Sequence, residues 1–107
     1  MATDALRKLT NEQKKHYRAI GHKLEPVVMV ASKGLNEGVL AELSRALDDH
    51  ELIKVRISVG DRELKQQLIG ELCEKSGATL IQTIGHIALI LKKAKKPNHQ
   101  LSNLQRH

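Results

Sequence analysis

The chain has the pattern of an α/β fold of the α+β kind, ordered α-β-α-β-α-β-β around a four-stranded mixed sheet. Three observations lead there. Short apolar segments alternate with longer ones whose apolar residues recur every three or four positions. A strand–helix–strand order requires a right-handed crossover and parallel pairing. The last two apolar segments, "TLIQTI" and "IALIL", are separated only by Gly85 and His86, the length of a hairpin turn.

Residues 1–9 form an N-terminal arm in this reading, and the domain spans 10–91. "TNEQ" at 10–13 is a capping box in which Thr10 and Gln13 exchange hydrogen bonds. The helix it opens runs to about Gly21. Leu9, His16 or Tyr17, Ile20 and Leu24 share one side, and Lys14, Lys15 and Arg18 fall opposite. Pro26 ends it, and "VVMV" at 27–30 is the first strand, whose unbroken apolar character predicts an interior position covered on both faces.

Asn36 caps a second helix with a core stripe of Val39, Leu40, Leu43, Ala46 and Leu47. "IKVRISV" at 53–59 alternates, turning Ile53, Val55, Ile57 and Val59 inward and Lys54, Arg56 and Ser58 outward. Gly60 and Asp61 lead into a third helix lined by Leu64, Leu68, Ile69 and Leu72 and stopped at Gly77. Gly85, first in its two-residue loop, signals a type II′ turn. From Lys92 to His107 the chain is basic, polar and interrupted by Pro97, and a disordered tail is expected.

Charge is segregated along the chain. Of the net +6, residues 92–107 hold +5, leaving +1 for the rest. Residues 1–35 carry +4 and residues 36–51 carry −4. A polyanion would meet two basic patches and one repulsive segment. With no Phe or Trp and one Tyr, the chain lacks the aromatic platforms on which single-strand binders stack bases. Nucleic-acid contact would then run through phosphate, sugar and shape, which favours folded or double-stranded RNA. One cysteine rules out an internal disulfide framework. The opening "MATDALRKLT" shows no secretory pattern, and "IALIL" is too short to span a bilayer, so a cytoplasmic protein without membrane contact is expected.

Between strand and helix lies Ala31-Ser32-Lys33-Gly34. Small residues permit a tight turn, and Gly34 accepts positive φ without steric penalty. The helix that follows offers unpaired N–H groups and the positive end of its dipole to a phosphate, beside the mobile charge of Lys33. A short strand-to-helix connection favours the same residue types for geometry alone, and Glu37 in the first helical turn competes with an anion.

The residues around this loop carry more. "PVVMVASKGLNEGVLAEL", "HELIKVRI", "DRE" and "GATLIQTIGHIALI", in a stretch from about residue 9 to 93, resemble the YhbY-type CRM domain of the chloroplast RNA splicing and ribosome maturation family. The resemblance implies a fold similar to the C-terminal domain of translation initiation factor three. It also implies RNA binding and, for bacterial single-domain members, association with the precursor of the large ribosomal subunit. The family loop matching 31–34 is a GxxG, comparable to the loop with which KH domains clamp a nucleic-acid backbone. Here Gly34 matches and position 31 is Ala, whose methyl group restricts close backbone approach.

The expected RNA-binding residues are Ala31, Ser32, Lys33 and Gly34, with Lys54 and Arg56 on the strand and Lys14, Lys15 and Arg18 on the first helix. For each lysine and arginine a solvated polar face is the competing explanation. No catalytic, metal or cofactor residue is expected. The six His show no paired metal-ligand spacing, no P-loop or dinucleotide fingerprint occurs, and Cys73 falls on a core-lined helix. The reading is a monomeric factor that assists assembly of the precursor large subunit by contacting structured ribosomal RNA through its phosphates. The alternatives are an adaptor whose acidic helix at 36–51 docks on ribosomal proteins, and a nucleic-acid-processing enzyme.

Overall fold

The structure is a computed structural model, and it describes residues 9–31 and 33–104. Most of the expected arm, Ser32 and residues 105–107 lie outside the described residues. Among the described residues, three helices and a four-stranded mixed sheet follow in the expected order: α1 (Asn11–His22), β1 (Pro26–Val30), α2 (Glu37–His50), β2 (Leu52–Ile57), α3 (Arg62–Ser76), β3 (Thr79–Ile84) and β4 (Ile87–Leu91).

The caps are those the sequence announces. Gln13 N donates to Thr10 Oγ1 at 3.0 Å, and Thr10 N donates to Gln13 Oε1 at 2.9 Å. Asn36 Oδ1 accepts from Val39 N at 2.9 Å, and Asp61 accepts from the amides of Glu63 and Leu64. Gly77 closes α3 at φ +75°, a left-handed conformation that a Cβ would strain. Gly85 sits at φ +57° with His86 at negative φ, the sign pattern of a type II′ turn.

The sheet order is β1-β2-β4-β3, with β1 parallel to β2 and the other pairs antiparallel. Strand β1 is therefore an edge, not the interior strand expected from "VVMV". Val28 and Val30 face the core, while Val27 and Met29 remain 52% and 58% exposed. A run of apolar residues reports what the strand tolerates; it does not report whether a helix covers the second face.

One face of the sheet is closed. Val28, Val30, Ile53, Val55, Ile57, Ala88 and Ile90 meet Leu43 and Leu47 of α2 and Leu68, Ile69 and Leu72 of α3 in one continuous core. Leu64, expected in that stripe, is exposed at the start of α3. The other face is half closed. Tyr17 and Ile20 of α1 cover Leu52, Leu89, Leu91 and Ile81. Gly21 permits this docking, because a Cβ there would come within 2.5 Å of Leu89 Cδ2.

The expected disordered tail is instead folded back as far as Leu104. Glu51, at φ 63° and only 2% exposed, anchors it. Its Oε2 accepts from Ala94 N at 2.9 Å, its Oε1 from Ser102 Oγ at 2.7 Å, and its carbonyl from Lys92 N at 2.9 Å. Asn103 Nδ2 donates to Leu52 O, and Leu104 packs beside the α1 core. Composition suggested a solvated end, whereas specific long-range hydrogen bonds to a buried carboxylate decide the outcome.

Candidate nucleic-acid interface

Register defines the two ends of the sheet. At one end, Val30 pairs with Ile57, Ser58 N donates to Val30 O at 2.7 Å, and Ile57 N donates to His86 O at 2.7 Å. The loop after β1, the turn before α3 and the β3–β4 hairpin therefore gather together. At the other end, Leu52 pairs with Leu91, and Leu91 with Thr79.

A hydrogen bond joins Ala31 to Gly34 across the loop. Gly34 N donates to Ala31 O at 2.9 Å, with Gly34 at φ +74°. That φ explains glycine at 34 but requires nothing of position 31, where Ala is accommodated and exposed. Lys33 is exposed. The helix start is less available than the sequence suggested. Asn36 already occupies the Val39 amide, leaving the amides of Glu37 and Gly38 for an outside acceptor.

Lys54 and Arg56 part company. The Lys54 ammonium donates to Leu24 O at 3.0 Å and is half-buried, so its first role is to pin the connection between α1 and β1. Arg56 is exposed, between Met29 on β1 and Ile87 on β4. It stands just short of the level at which the chain leaves β1 for the Lys33 loop.

Around Arg56 lies the part of the sheet face that α1 leaves uncovered. Met29 is exposed, Ile84 is 65% exposed, and Ile87 is half-buried. His22, Lys54, Gln82, Ile84, Ile87 and Leu89 line a concavity of about 140 Å³ at its margin. Arg18 lies one helical turn before His22 on the same side of α1, with Lys14 and Lys15 a turn further back. The row Lys14, Arg18, His22 thus leads toward the open sheet, and only its last turn reaches the concavity. Lys14 and Arg18 are half-buried and Lys15 is exposed.

Sequence reasoning missed the apolar part of this surface. Met29, between Val28 and Val30, has no polar neighbour in sequence to mark it as exposed, and Thr83 beside Ile84 does not tell which face of the sheet is open; the signal is the shortness of α1, which cannot cover four strands. The hairpin was also missed as part of the same end. Lys65 Nζ donates to Gly85 O at 2.8 Å and holds its turn. The acidic residues Glu37, Glu42 and Asp48 are exposed on α2, which packs on the opposite face.

Among the described residues, no three His, Cys, Asp or Glu side chains gather as a metal site would require. Cys73 borders a concavity of about 380 Å³ between α3 and β3, and burial pushes its thiol up to about 11 from 9.0. Such a thiol stays protonated and unreactive at neutral pH. No helix among the described residues is long and apolar enough to cross a membrane.

Comparison with known proteins agrees with the fold. Residues 9–92 match the model of the CRS1/YhbY (CRM) domain. The chain is 54% identical over 98 residues to the "Probable RNA-binding protein PA4753" of Pseudomonas aeruginosa, covering 92% of this chain and 94% of that one. It is 43% identical over 93 residues to an "RNA-binding protein" of Haemophilus influenzae, covering 87% and 94%. The solution structure of Staphylococcus aureus SAV1595 superposes with a TM-score of 0.71 at 30% identity, covering 82% of this chain and 92% of that one.

Proposed function

Because the chain belongs to the CRS1/YhbY (CRM) domain family, we propose that it binds structured RNA, and that its target is ribosomal RNA in the precursor of the large ribosomal subunit. RNA binding is what its relatives are named for. The observation that carries the interface is the meeting of three things at one end of the sheet: the exposed Lys33 on its glycine-closed turn, the exposed Arg56, and the uncovered apolar surface of Met29 and Ile84.

Lys33 and the two open helix amides contact a phosphate as point charge and dipole. Arg56 offers a planar fork to a second phosphate. Lys15 and Arg18 extend the positive field, while Lys54 acts chiefly by holding the scaffold. Met29 and Ile84 take sugar and base edges without stacking, consistent with the absence of aromatic platforms. The protein holds a folded RNA segment and carries out no covalent chemistry.

Two linked experiments test this. Lys33→Glu and Arg56→Glu, singly and together, are titrated against an RNA hairpin over a range of salt. The double variant is expected to lose at least tenfold in affinity and to lower the salt slope by about 1 to 2. Crosslinking in cells with sequencing of the attached RNA then identifies the target. Enrichment of transfer or messenger RNA over ribosomal RNA contradicts the assignment to the ribosome. Ribosome association that survives the double variant favours an adaptor acting through protein contacts.

A further inference from the structure

The strongest feature the loop-end interface does not use is the lysine segment after β4. Lys92, Lys93, Lys95 and Lys96 are all exposed, while Ala94 and Pro97 between and after them are half-buried. This order is fixed by hydrogen bonds. The buried Glu51 carboxyl group accepts from Ala94 N at 2.9 Å and from Ser102 Oγ at 2.7 Å, so one side chain ties the middle of the segment and the turn that follows it. Asn103 N donates to His50 O at 2.9 Å, and His50 Nδ1 donates to Leu101 O at 2.9 Å. Asn98 closes the intervening turn by accepting from the amides of Gln100 and Leu101. The result is a strap with Ala94 and Pro97 half-buried and its four lysines exposed, the Lys92 ammonium lying beside Gly77 at the end of α3.

We propose that this strap, residues 92–97, is a second and preshaped phosphate-binding site for structured RNA, at the end of the sheet opposite the Lys33 loop. The proposal rests on the RNA-binding reading above. Leu91 pairs with Leu52, whereas the loop end lies at Ile57, so the two sites stand apart by the length of β2. At about 3.3 Å per residue that is roughly 17 Å along the strand. Two phosphate sites so separated on one rigid body meet two turns or two strands of a folded RNA, and the second contact becomes intramolecular.

The chemistry favours phosphate over other partners. Asp48 is the acid that lines the same depression, and the oxygens of Glu51 are already bound. Four lysines outnumber them. Lysine serves phosphate as a compact, mobile point charge. The outward residues of the strap include no large apolar side chain to enter a lipid surface. Because the strap is already ordered, binding is spared much of the cost of freezing a flexible tail.

The test uses the full chain and an RNA hairpin long enough to span both sites. In one variant Lys92, Lys93, Lys95 and Lys96 are all replaced by Gln; these side chains face solvent, so the fold is retained. In a second, Ser102→Ala and Asn103→Ala untie the strap and keep every lysine. Neutralising the strap is expected to lower affinity at least tenfold and to reduce the salt slope by about 2 to 3. Untying it is expected to lower affinity by a factor of about three to five, with faster amide exchange at residues 93–96. Unchanged affinity in either variant overturns the proposal, and so does displacement of the hairpin by polyglutamate of equal charge. If the untied variant fails to fold, the neutralised one alone decides. Failure of the unaltered protein to bind the hairpin overturns the RNA-binding reading itself, whereas a loss in Lys33→Glu without any loss in the strap variant overturns the second site only.

Discussion

The two faces of the sheet are built from similar residues and put to different uses. On the face under α2 and α3, Val30, Ile57, Leu43 and Leu47 are at most 1% exposed. On the other, α1 covers Leu52, Leu89 and Leu91, and beyond Leu89 the sheet opens to Met29, Arg56, Ile84 and Ile87. Two helices close four strands; one helix of twelve residues closes about half. The difference teaches that apolar side chains on the closed face supply stability, whereas those on the open half are retained at little stability gain and are free to meet a partner.

The comparison breaks most visibly through the closed face. Leu47→Ala removes a fully buried side chain and is expected to cost about 3 kcal/mol, read as a lower urea midpoint with unchanged slope. Hairpin affinity per folded molecule should not change. A loss of affinity at full folding would mean that the two faces are not separable. A subtler effect is expected from the open half. Met29→Ser with Ile84→Ser should alter stability by no more than about 0.5 kcal/mol per site while weakening the hairpin about fivefold, close to 1 kcal/mol. Large destabilisation with unaltered binding would assign these residues to the core.

The smallest effect concerns the cysteine on the closed side. The Cys73 thiol is held near 11 against 9.0 by burial, so at pH 8 it carries about 100-fold less thiolate than a free thiol. Alkylation should be slow and should accelerate only as pH approaches 11. Since the folded value is raised, stability is unaffected by this group below about pH 9 and declines between 9 and 11, where only the unfolded thiol ionises. Rapid alkylation of the native protein at pH 8 would show that the concavity beside Ile69 and Leu80 opens.

These results also mark what the chain discloses in one dimension. Caps and turns are local, so Thr10, Asn36, Asp61, Gly77 and Gly85 announce their elements and do what their residue types require. The stripe of α2 and the alternation of β2 reveal their buried sides for the same reason. What is not local was misjudged. "VVMV" cannot disclose that β1 is an edge, because coverage depends on where a helix from elsewhere in the chain ends. Lys54 and Arg56 look equivalent at a spacing of two, yet one reaches Leu24 O and the other faces solvent. Glu51 is one acid in an acidic helix end until Ala94 and Ser102 arrive from 43 and 51 residues away to complete it. Loss of that carboxylate would leave buried donors unpaired, and removal of everything after Leu91 would strip Leu104 from the α1 core.

The central claim is that RNA meets the loop end and the open half of the sheet. Amide and methyl chemical-shift mapping of the full chain with an RNA hairpin tests it most directly. Shifts are expected at Lys33, Gly34, Met29, Arg56, Ile84 and Ile87, with the exposed side of α2 from Glu37 to Asp48 unmoved. Shifts confined to α2 and α3, with Met29, Arg56 and Ile84 unperturbed at saturation, would contradict it.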